Sequence, residues 1–470
     1  MAGIVSYGVY LPYWRLDRRR IGESLRSPGG RGTRSVASYD EDATTMGVEA
    51  SRAALRSTPD GIAPSSLFLS SATPAYLDKT NATAIHAALD LPAETPAVDM
   101  LGSVRSGVGA LRAALQAPTP TLAVLSDLRS GLPGGADERD GGDGAGAILT
   151  APDGPVIAEY VGGASATGEF LERWRVPGDP ASKVWEERFG EHVYVPLAER
   201  AITDAVKTSG ITPDAIDHLV VTGLHSRAVR RVAASSGARP EALVDDLSSV
   251  VGNTGVAHPA LLLASALERA QPDQTIAIVV LADGADVLLF RTTAALAGYR
   301  PTASIEEQIA STRDDLDYPR FLSWRGMLRR EPPRRPDPTP PEAPPSSRSE
   351  DWKFAFVASR CVNCGTRHLP PQRVCLECKA VDAMSEDRLA DVQATVTTHT
   401  IDRLAFSPSP PVVVAVLDFD GGGRYQSELT DVDADGVAIG DRVEMTFRRM
   451  FTANGVHNYF WKARPIRGGA

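Results

Sequence analysis

All four cysteines of the chain fall in one stretch, CVNCGTRHLPPQRVCLEC, from Cys361 to Cys378. They form two Cys-x-x-Cys pairs with ten residues between them. Each pair makes a tight knuckle in which two thiolates reach one ion, and two knuckles close a tetrahedral S4 shell of the kind Zn²⁺ takes. With every position filled by protein, no site is left for water, so such an ion is structural. Gly365 eases the turn after the first pair, and Pro370 and Pro371 stiffen the connecting hairpin. The competing reading, two redox disulfides, suits an oxidising compartment, and two clustered pairs are not the pattern of a secreted disulfide framework. Cys361, Cys364, Cys375 and Cys378 are therefore expected to hold zinc, and any other chemistry must proceed without a thiol.

The elements that position these residues divide the chain. RREPPRRPDPTPPEAPPSSRSED, residues 329–351, is rich in proline, serine and charge and reads as an extended linker. Before it, residues 1–328 alternate helical and strand patterns. DEDATTMGVEASRAALRS, NATAIHAALDL and SGVGALRAALQA have helical spacing, whereas SLFLSSA and PTLAVLSDL read as strands. The rhythm recurs in LAERAITDAVKTSG, AIDHLVVTGLH, PALLLASALERA and the strand pair QTIAIVVLADG and ADVLLFRTT, which suggests a duplicated, layered α/β unit. After the linker, residues 352–385 carry the cysteines. Residues 386–470 read as about five strands with glycine and aspartate turns, fitting a small barrel such as an OB-fold.

Composition narrows the function. Hydrophobic residues make up 43% and charged residues 23% of the 470, as in ordinary globular proteins. The net charge of −10 argues against nucleic acid or an anionic membrane as the main partner. The longest apolar run is interrupted by Asp283 and Asp286, so it reads as buried strands, not a membrane span. The N-terminal MAGIVSYGVYLPYWRLDRRR lacks the order of a signal peptide, and a cytoplasmic location is expected. GGADERDGGDGAGAIL is glycine-rich but has no phosphate-loop lysine and serine, so nucleotide cradling is not expected.

Two stretches, VVTGLHSRAVRRVAASSG and LSSVVGNTGVAHPALLLASALERAQPDQTIAIVVLADGAD, resemble the thiolase superfamily, especially hydroxymethylglutaryl-CoA synthases and ketoacyl synthases of the initiating type. GIVSYGVYLPYWRL, TTMGVEASRAAL and YPRFLSWRGML extend the resemblance across the long domain. The cysteine stretch and PPVVVAVLDFDGGGRYQSELTDVDADGVAIGDRVEMTF resemble the zinc-ribbon/OB-fold proteins that accompany thiolase-like enzymes. The resemblance implies a five-layer αβαβα fold followed by a zinc ribbon and an OB-fold barrel, an acyl-CoA thioester as substrate, and a homodimer formed through the thiolase-like domain.

It also implies a histidine and an asparagine at the end of a CoA tunnel. His225 and Asn253 stand at those positions and are expected to offer two N–H donors to a thioester oxyanion, with His225 also able to shuttle a proton. Taken alone, Asn253 is better explained as a helix cap and His225 as a strand-end residue hydrogen-bonded to backbone. The family's nucleophilic cysteine aligns with Val104 in VDMLGSVRSGVGAL, and its glutamate aligns with Ala72 in LSSATPAYLDKT. Ser103 and Ser106 flank the first position but have no evident base, and read as helix-start residues. Tyr76, Asp78, Lys79 and His258 are weaker acid/base candidates, Lys79 also being placed near a CoA phosphate. The expected activity is chemistry on a carbon–carbon bond of a CoA thioester without a cysteine nucleophile, of retro-aldol or aldol type. An acyltransferase, a hydroxymethylglutaryl-CoA synthase-like condensing enzyme and a non-catalytic acyl-CoA-binding scaffold stand as alternatives.

Overall fold

TIAIVVL and the following GADVLLFRT are apolar at nearly every position, the pattern of strands buried on both faces. In the computed structural model, which describes residues 2–334, 336 and 338–467, they are the antiparallel strands Thr275–Leu281 and Gly284–Thr292. The chain divides into two compact units. Unit one is Met1–Ala37, Asp42–Thr83 and Ala93–Phe321. Unit two is Ser38–Glu41, Ala84–Pro92 and Leu322–Ala470. Among the described residues no helix is long and apolar enough to cross a membrane.

Besides a small antiparallel pair, Trp14–Asp17 and Thr33–Val36, the strands of unit one are β1 (Gly3–Tyr10), β2 (Ser66–Ser71), β3 (Ala97–Leu101), β4 (Thr121–Leu128), β5 (Asp143–Ala151), β6 (Ala158–Thr167), the short pair β7 (Arg173–Trp174) and β8 (Lys183–Val184), β9 (His218–Gly223), β10 (Thr275–Leu281) and β11 (Gly284–Thr292). All but β7 and β8 join in the order β9-β10-β11-β6-β1-β5-β4-β2-β3. The sheet is two halves. Each has parallel strands outermost and antiparallel strands inside, and the halves meet only where Gly3 and Ile4 pair with Glu159 and Ala158. This is the duplicated rhythm of the sequence in three dimensions.

Helices complete the layers. α1 (Ala43–Arg56) begins at Asp42 with a reciprocal capping box to Thr45 and covers β1, β4 and β5. α2 (Val104–Leu115) and α5 (His258–Arg269) lie between the two half-sheets. α3 (Glu187–Ser209), closed by Gly210 in the left-handed conformation, and α4 (Ser226–Ser235) cover the outer face of the second half. The order is helix, sheet, helix, sheet, helix: the five-layer thiolase-like architecture. One core surrounds α2 and α5 (Val104, Val108, Leu261, Leu263, Ile278, Leu288), and a second lies beneath α3 and α4 (Tyr194, Ala201, Val221, Val232, Val279, Leu289).

Unit two contains β12 (Val357–Cys361), β13 (Arg367–His368) and β14 (Met384–Arg388), a three-stranded ribbon, then β15 (Ala394–Asp402), β16 (Val412–Phe419), β17 (Arg424–Leu429), β18 (Arg442–Ala453) and β19 (Val456–Pro465), which close into a barrel in the order β15-β16-β17-β19-β18. Trp461, Phe447, Phe419 and Phe356 fill its interior. The segment Ser38–Glu41 packs into this unit through charge. Arg448, fully buried, faces Glu41 at 3.0 Å, Asp431 at 2.7 Å and Asp40 at 3.9 Å, and Lys462 reaches Asp40 at 3.0 Å and Glu428 at 2.6 Å.

The linker differs from the expectation of an extended chain. Ala343–Arg348 is a helix, with proline in its first turn, where the missing N–H is harmless, and a π turn follows at Asp351–Ala355. Arg335 and Asp337 of the linker lie outside the described residues.

Candidate active site

The C-terminal ends of β2, β3, β4, β9 and β10 converge on a cleft of about 490 Å³ in unit one. Carboxyl ends of strands are where layered α/β folds place ligands, because helix starts and loops gather there. Ala72 and Thr73 come from the end of β2, Ser103 and Val104 from the start of α2, and Arg129 follows β4. Leu281 to Asp283 come from the β10–β11 turn. The opposite wall is the segment from Glu172 to Asp179, part of the β7–β8 hairpin, with Tyr194 of α3 behind it.

Val104 opens α2 at the floor of this cleft, buried at 7% exposure. Ser103 is the N-cap, but its side chain makes no capping bond, so the first-turn amides of α2 are not covered by a hydroxyl. Arg105 fixes the helix start. Its guanidinium donates to Asp286 at 3.0 Å, to the Asp283 carbonyl at 2.7 Å and to Thr167 at 2.8 Å.

The two expected oxyanion donors are engaged with backbone. His225 is the N-cap of α4: its Nδ1 accepts from the Ala228 amide at 3.1 Å, which leaves the proton on Nε2, and Nε2–H donates to the Glu187 carbonyl at 2.7 Å. Asn253 donates from Nδ2 to the Gly223 carbonyl at 3.0 Å and accepts from the Gly255 amide at 2.9 Å. The two side chains brace backbone on either side of the end of β9, and neither belongs to the cleft lining, although Leu224, beside His225, does.

The other sequence candidates separate. Ser103 lines the cleft. Tyr76 is half-buried outside the lining, with its amide held by Asn81. Lys79 and Asp78 are exposed, and Lys79 bonds to the Thr80 carbonyl and the Thr83 hydroxyl of its own loop. His258 is buried in the central layer, where burial lowers its pKa to about 4, and its Nδ1 faces Thr254.

Charged groups that sequence reasoning missed also line the cleft. Arg129 runs past Gly141 and Gly255, each of which would collide with it if it bore a Cβ, and meets Asp137 at 3.5 Å. Arg173 meets the other oxygen of Asp137 at 2.6 Å. Glu172 is 4% exposed, and burial raises its pKa against the opposing pull of Arg173 and His225. Burial likewise raises Asp283, and raises Tyr194, whose hydroxyl accepts from the Asp283 amide. The one local hint was a carboxylate inside the apolar stretch FLERW, and the exposed Glu169 nearby looks no different in sequence.

In unit two the four cysteine sulfurs lie within 4.8 Å of one another. Cys361 and Cys378 are 3.6 Å apart, and Cys364 and Cys375 3.5 Å. A regular tetrahedron with Zn–S near 2.3 Å has sulfurs about 3.8 Å apart, so the donor set fits zinc.

The fold and sites define a thiolase-like domain carrying a zinc-ribbon and OB-fold module. Comparison with known proteins agrees. Residues 354–384 match the family described as the ChsH2 rubredoxin-like zinc ribbon domain, and residues 387–448 match the ChsH2 C-terminal OB-fold domain. A hydroxymethylglutaryl-CoA synthase of Aeropyrum pernix is 28% identical over 342 residues, 70% of this chain and 95% of that protein. Among solved structures, an HMG-CoA synthase complexed with CoA superposes with a TM-score of 0.58 at 15% identity, covering 68% of this chain and 89% of that one. The 3-oxoacyl-(acyl carrier protein) synthase III FabH of Pseudomonas aeruginosa PAO1 gives 0.54 at 18%, covering 62% and 98%. The chain thus joins a fold like that of HMG-CoA synthases and FabH to a ribbon and a barrel that match the ChsH2 domain families.

Proposed function

We propose that unit one binds an acyl-CoA thioester in this cleft and breaks or makes the carbon–carbon bond next to it, retro-aldol or aldol in type, without an acyl-cysteine. The carrying observation is the start of α2. Val104 occupies the floor where the fold's nucleophile is expected, and an isopropyl group cannot be acylated. The helix start remains, and its uncapped amides suit an oxygen that becomes negative only as the reaction proceeds.

In the cleavage direction a base removes the proton of a β-hydroxyl, and the bond between Cα and Cβ breaks. Its electrons enter the thioester as an enolate, and a proton returns to Cα. The products are a carbonyl compound and a shortened thioester. His225 and Asn253 serve this reading by fixing the end of β9 and the Gly223 to Gly255 backbone. Cys361, Cys364, Cys375 and Cys378 hold a structural zinc. Pairing of two copies through unit one and a cytoplasmic setting belong to the same reading.

The test is incubation of the purified chain with a series of β-hydroxyacyl-CoA thioesters, trapping the released carbonyl as a hydrazone and weighing the thioester product. Binding of CoA esters with neither cleavage nor the reverse condensation would leave a scaffold in place of an enzyme. A second reading is acyl transfer through Ser103, favoured because its hydroxyl lies in the lining and makes no hydrogen bond among the described residues. A covalent acyl adduct on Ser103 in the intact-protein mass would establish it.

A further inference from the structure

The reading above requires a proton-transferring group, and the carboxylate expected on the β2 side is absent, Ala72 standing there. We propose that Glu172, from the opposite wall, is that group. In cleavage its carboxylate takes the β-hydroxyl proton as the Cα–Cβ bond breaks, and the resulting acid delivers the same proton to Cα of the enolate. One proton is taken and one returned, and no oxidant or co-reactant enters. The inference rests on the carbon–carbon reading of this cleft and adds the residue that performs it.

Three observations carry it. Glu172 lines the cleft while being nine-tenths buried, and its carboxylate makes no hydrogen bond or ion pair among the described residues. Its oxygens are not among the buried unpartnered polar atoms, so they stay open to the cleft, where a substrate group can meet them. Its backbone is held. The Glu172 carbonyl accepts from the Trp185 amide at 2.7 Å, and the next residues pair in the β7–β8 ladder, Arg173 with Val184 and Trp174 with Lys183. The same hairpin reaches the place the missing carboxylate would occupy, because Arg175, three residues further on, donates to the Ala72 carbonyl. The acid has therefore changed walls within one cleft.

The surroundings suit the role. Glu172 faces Arg173 on its own segment, Asp137 from the short helix after β4, His225 at the start of α4, Asp283 in the β10–β11 turn and Tyr194 of α3. His225 supports it from behind. Gly190 of α3 is in van der Waals range of both, since a Cβ there would lie 2.4 Å from the His225 ring and 3.0 Å from Glu172 Cγ. Burial is the largest influence and shifts the carboxyl upward from its ordinary value, so its acid form is more available for proton delivery than an exposed glutamate's.

The experiment compares the full chain with E172Q and E172D. Two activities are read: cleavage of a β-hydroxyacyl-CoA, and deuterium uptake at Cα of the product thioester in D2O. Binding of the unreactive thioester and thermal unfolding are measured alongside. Expected is a loss of about 100-fold or more in kcat and in exchange for E172Q, with binding retained, and an intermediate loss for E172D. The alkaline-rising limb of the kcat/KM profile should vanish in E172Q. E172Q within about threefold of the parent in both activities overturns the proposal while leaving the reaction class standing. A parent chain that neither cleaves nor exchanges removes the reaction class, and this assignment with it. If E172Q does not fold, E172D decides: full activity with the carboxyl withdrawn by one methylene is incompatible with direct proton transfer.

Discussion

Val104 offers a direct test of where the cleft stands relative to the thiolase nucleophile. V104C places a thiol at the first residue of α2, beneath uncapped amides and in a lining that contains Arg129 and Arg173. Helix N-termini and neighbouring cations lower a thiol below its free value of about 8.5, while the burial of Val104 opposes them. A net lowering of about one unit raises the thiolate fraction at pH 7 from about 3% to about 24%, and the weaker nucleophilicity of the more acidic thiolate leaves a gain in reactivity of about threefold per accessible thiol. The exchange removes one methyl from the central core and should cost about 1 kcal/mol. The assay is iodoacetamide labelling followed by peptide mapping, with L404C as the reference, since Leu404 is 98% exposed. The native cysteines, clustered with spacing that fits zinc, map to a separate peptide. V104C should label several-fold faster than L404C and should carry an acetyl group after incubation with acetyl-CoA. Slower labelling than L404C would mean that the helix start does not open onto the cleft as an anion site, and the oxyanion assignment would fail with it.

Other consequences are independent. R448M leaves Asp40, Glu41 and Asp431 buried without their guanidinium and should destabilise unit two by about 3–5 kcal/mol, measured by urea unfolding. For Asp40, burial alone would raise the pKa, but Lys462 and Arg448 hold it at about 2, below its ordinary value of 3.8. Its contribution, about 2 kcal/mol, is present above 3.8 and is lost as pH falls toward 2, so D40N should flatten the acid limb of the stability profile. G190A drives a methyl into His225 and Glu172 and should cost about 1–3 kcal/mol in unfolding, with a fall in kcat larger than its effect on binding. Chelation should release one zinc per chain, read with a metallochromic dye, and expose the amides of β12 to β14 to hydrogen exchange.

The parts of this molecule that were legible in sequence are those set by local chemistry. Two Cys-x-x-Cys knuckles announce their ligand geometry within 18 residues, and the fold brings all four sulfurs together. Doubly apolar strands and helical spacing gave the layered duplication, because burial on both faces leaves no room for polar residues in TIAIVVL. His225 and Asn253 were visible as residues, but their hydrogen-bond partners were not. The Glu187 carbonyl that takes the His225 proton is 38 positions away, and nothing in either segment specifies their meeting. Glu172 was invisible for the same reason. Its burial is produced by α3, the β10–β11 turn and the hairpin together, none of which marks FLERW as unusual. The linker helix at Ala343–Arg348 was missed because a stretch rich in proline, serine and charge was read as extended, although proline is tolerated in a helix's first turn.

The burial of Glu172 has a thermodynamic sign that separates a working carboxylate from an accidental one. Its folded-state pKa is raised above the ordinary 4.5, so the native state favours the protonated form. Any stability it lends is present below 4.5 and is lost as pH rises through the folded value, leaving at alkaline pH a charge held where water reaches it poorly. E172Q removes that charge while keeping the shape. The variant should therefore melt higher than the parent at pH 8, with the difference shrinking toward pH 5, while it loses turnover. Selection for packing alone would have replaced this carboxylate, so a more stable and inactive E172Q is the signature of stability given up for chemistry. An E172Q that melts lower at pH 8 would show instead that the carboxylate is satisfied in the folded protein, and that the cleft keeps it for structure.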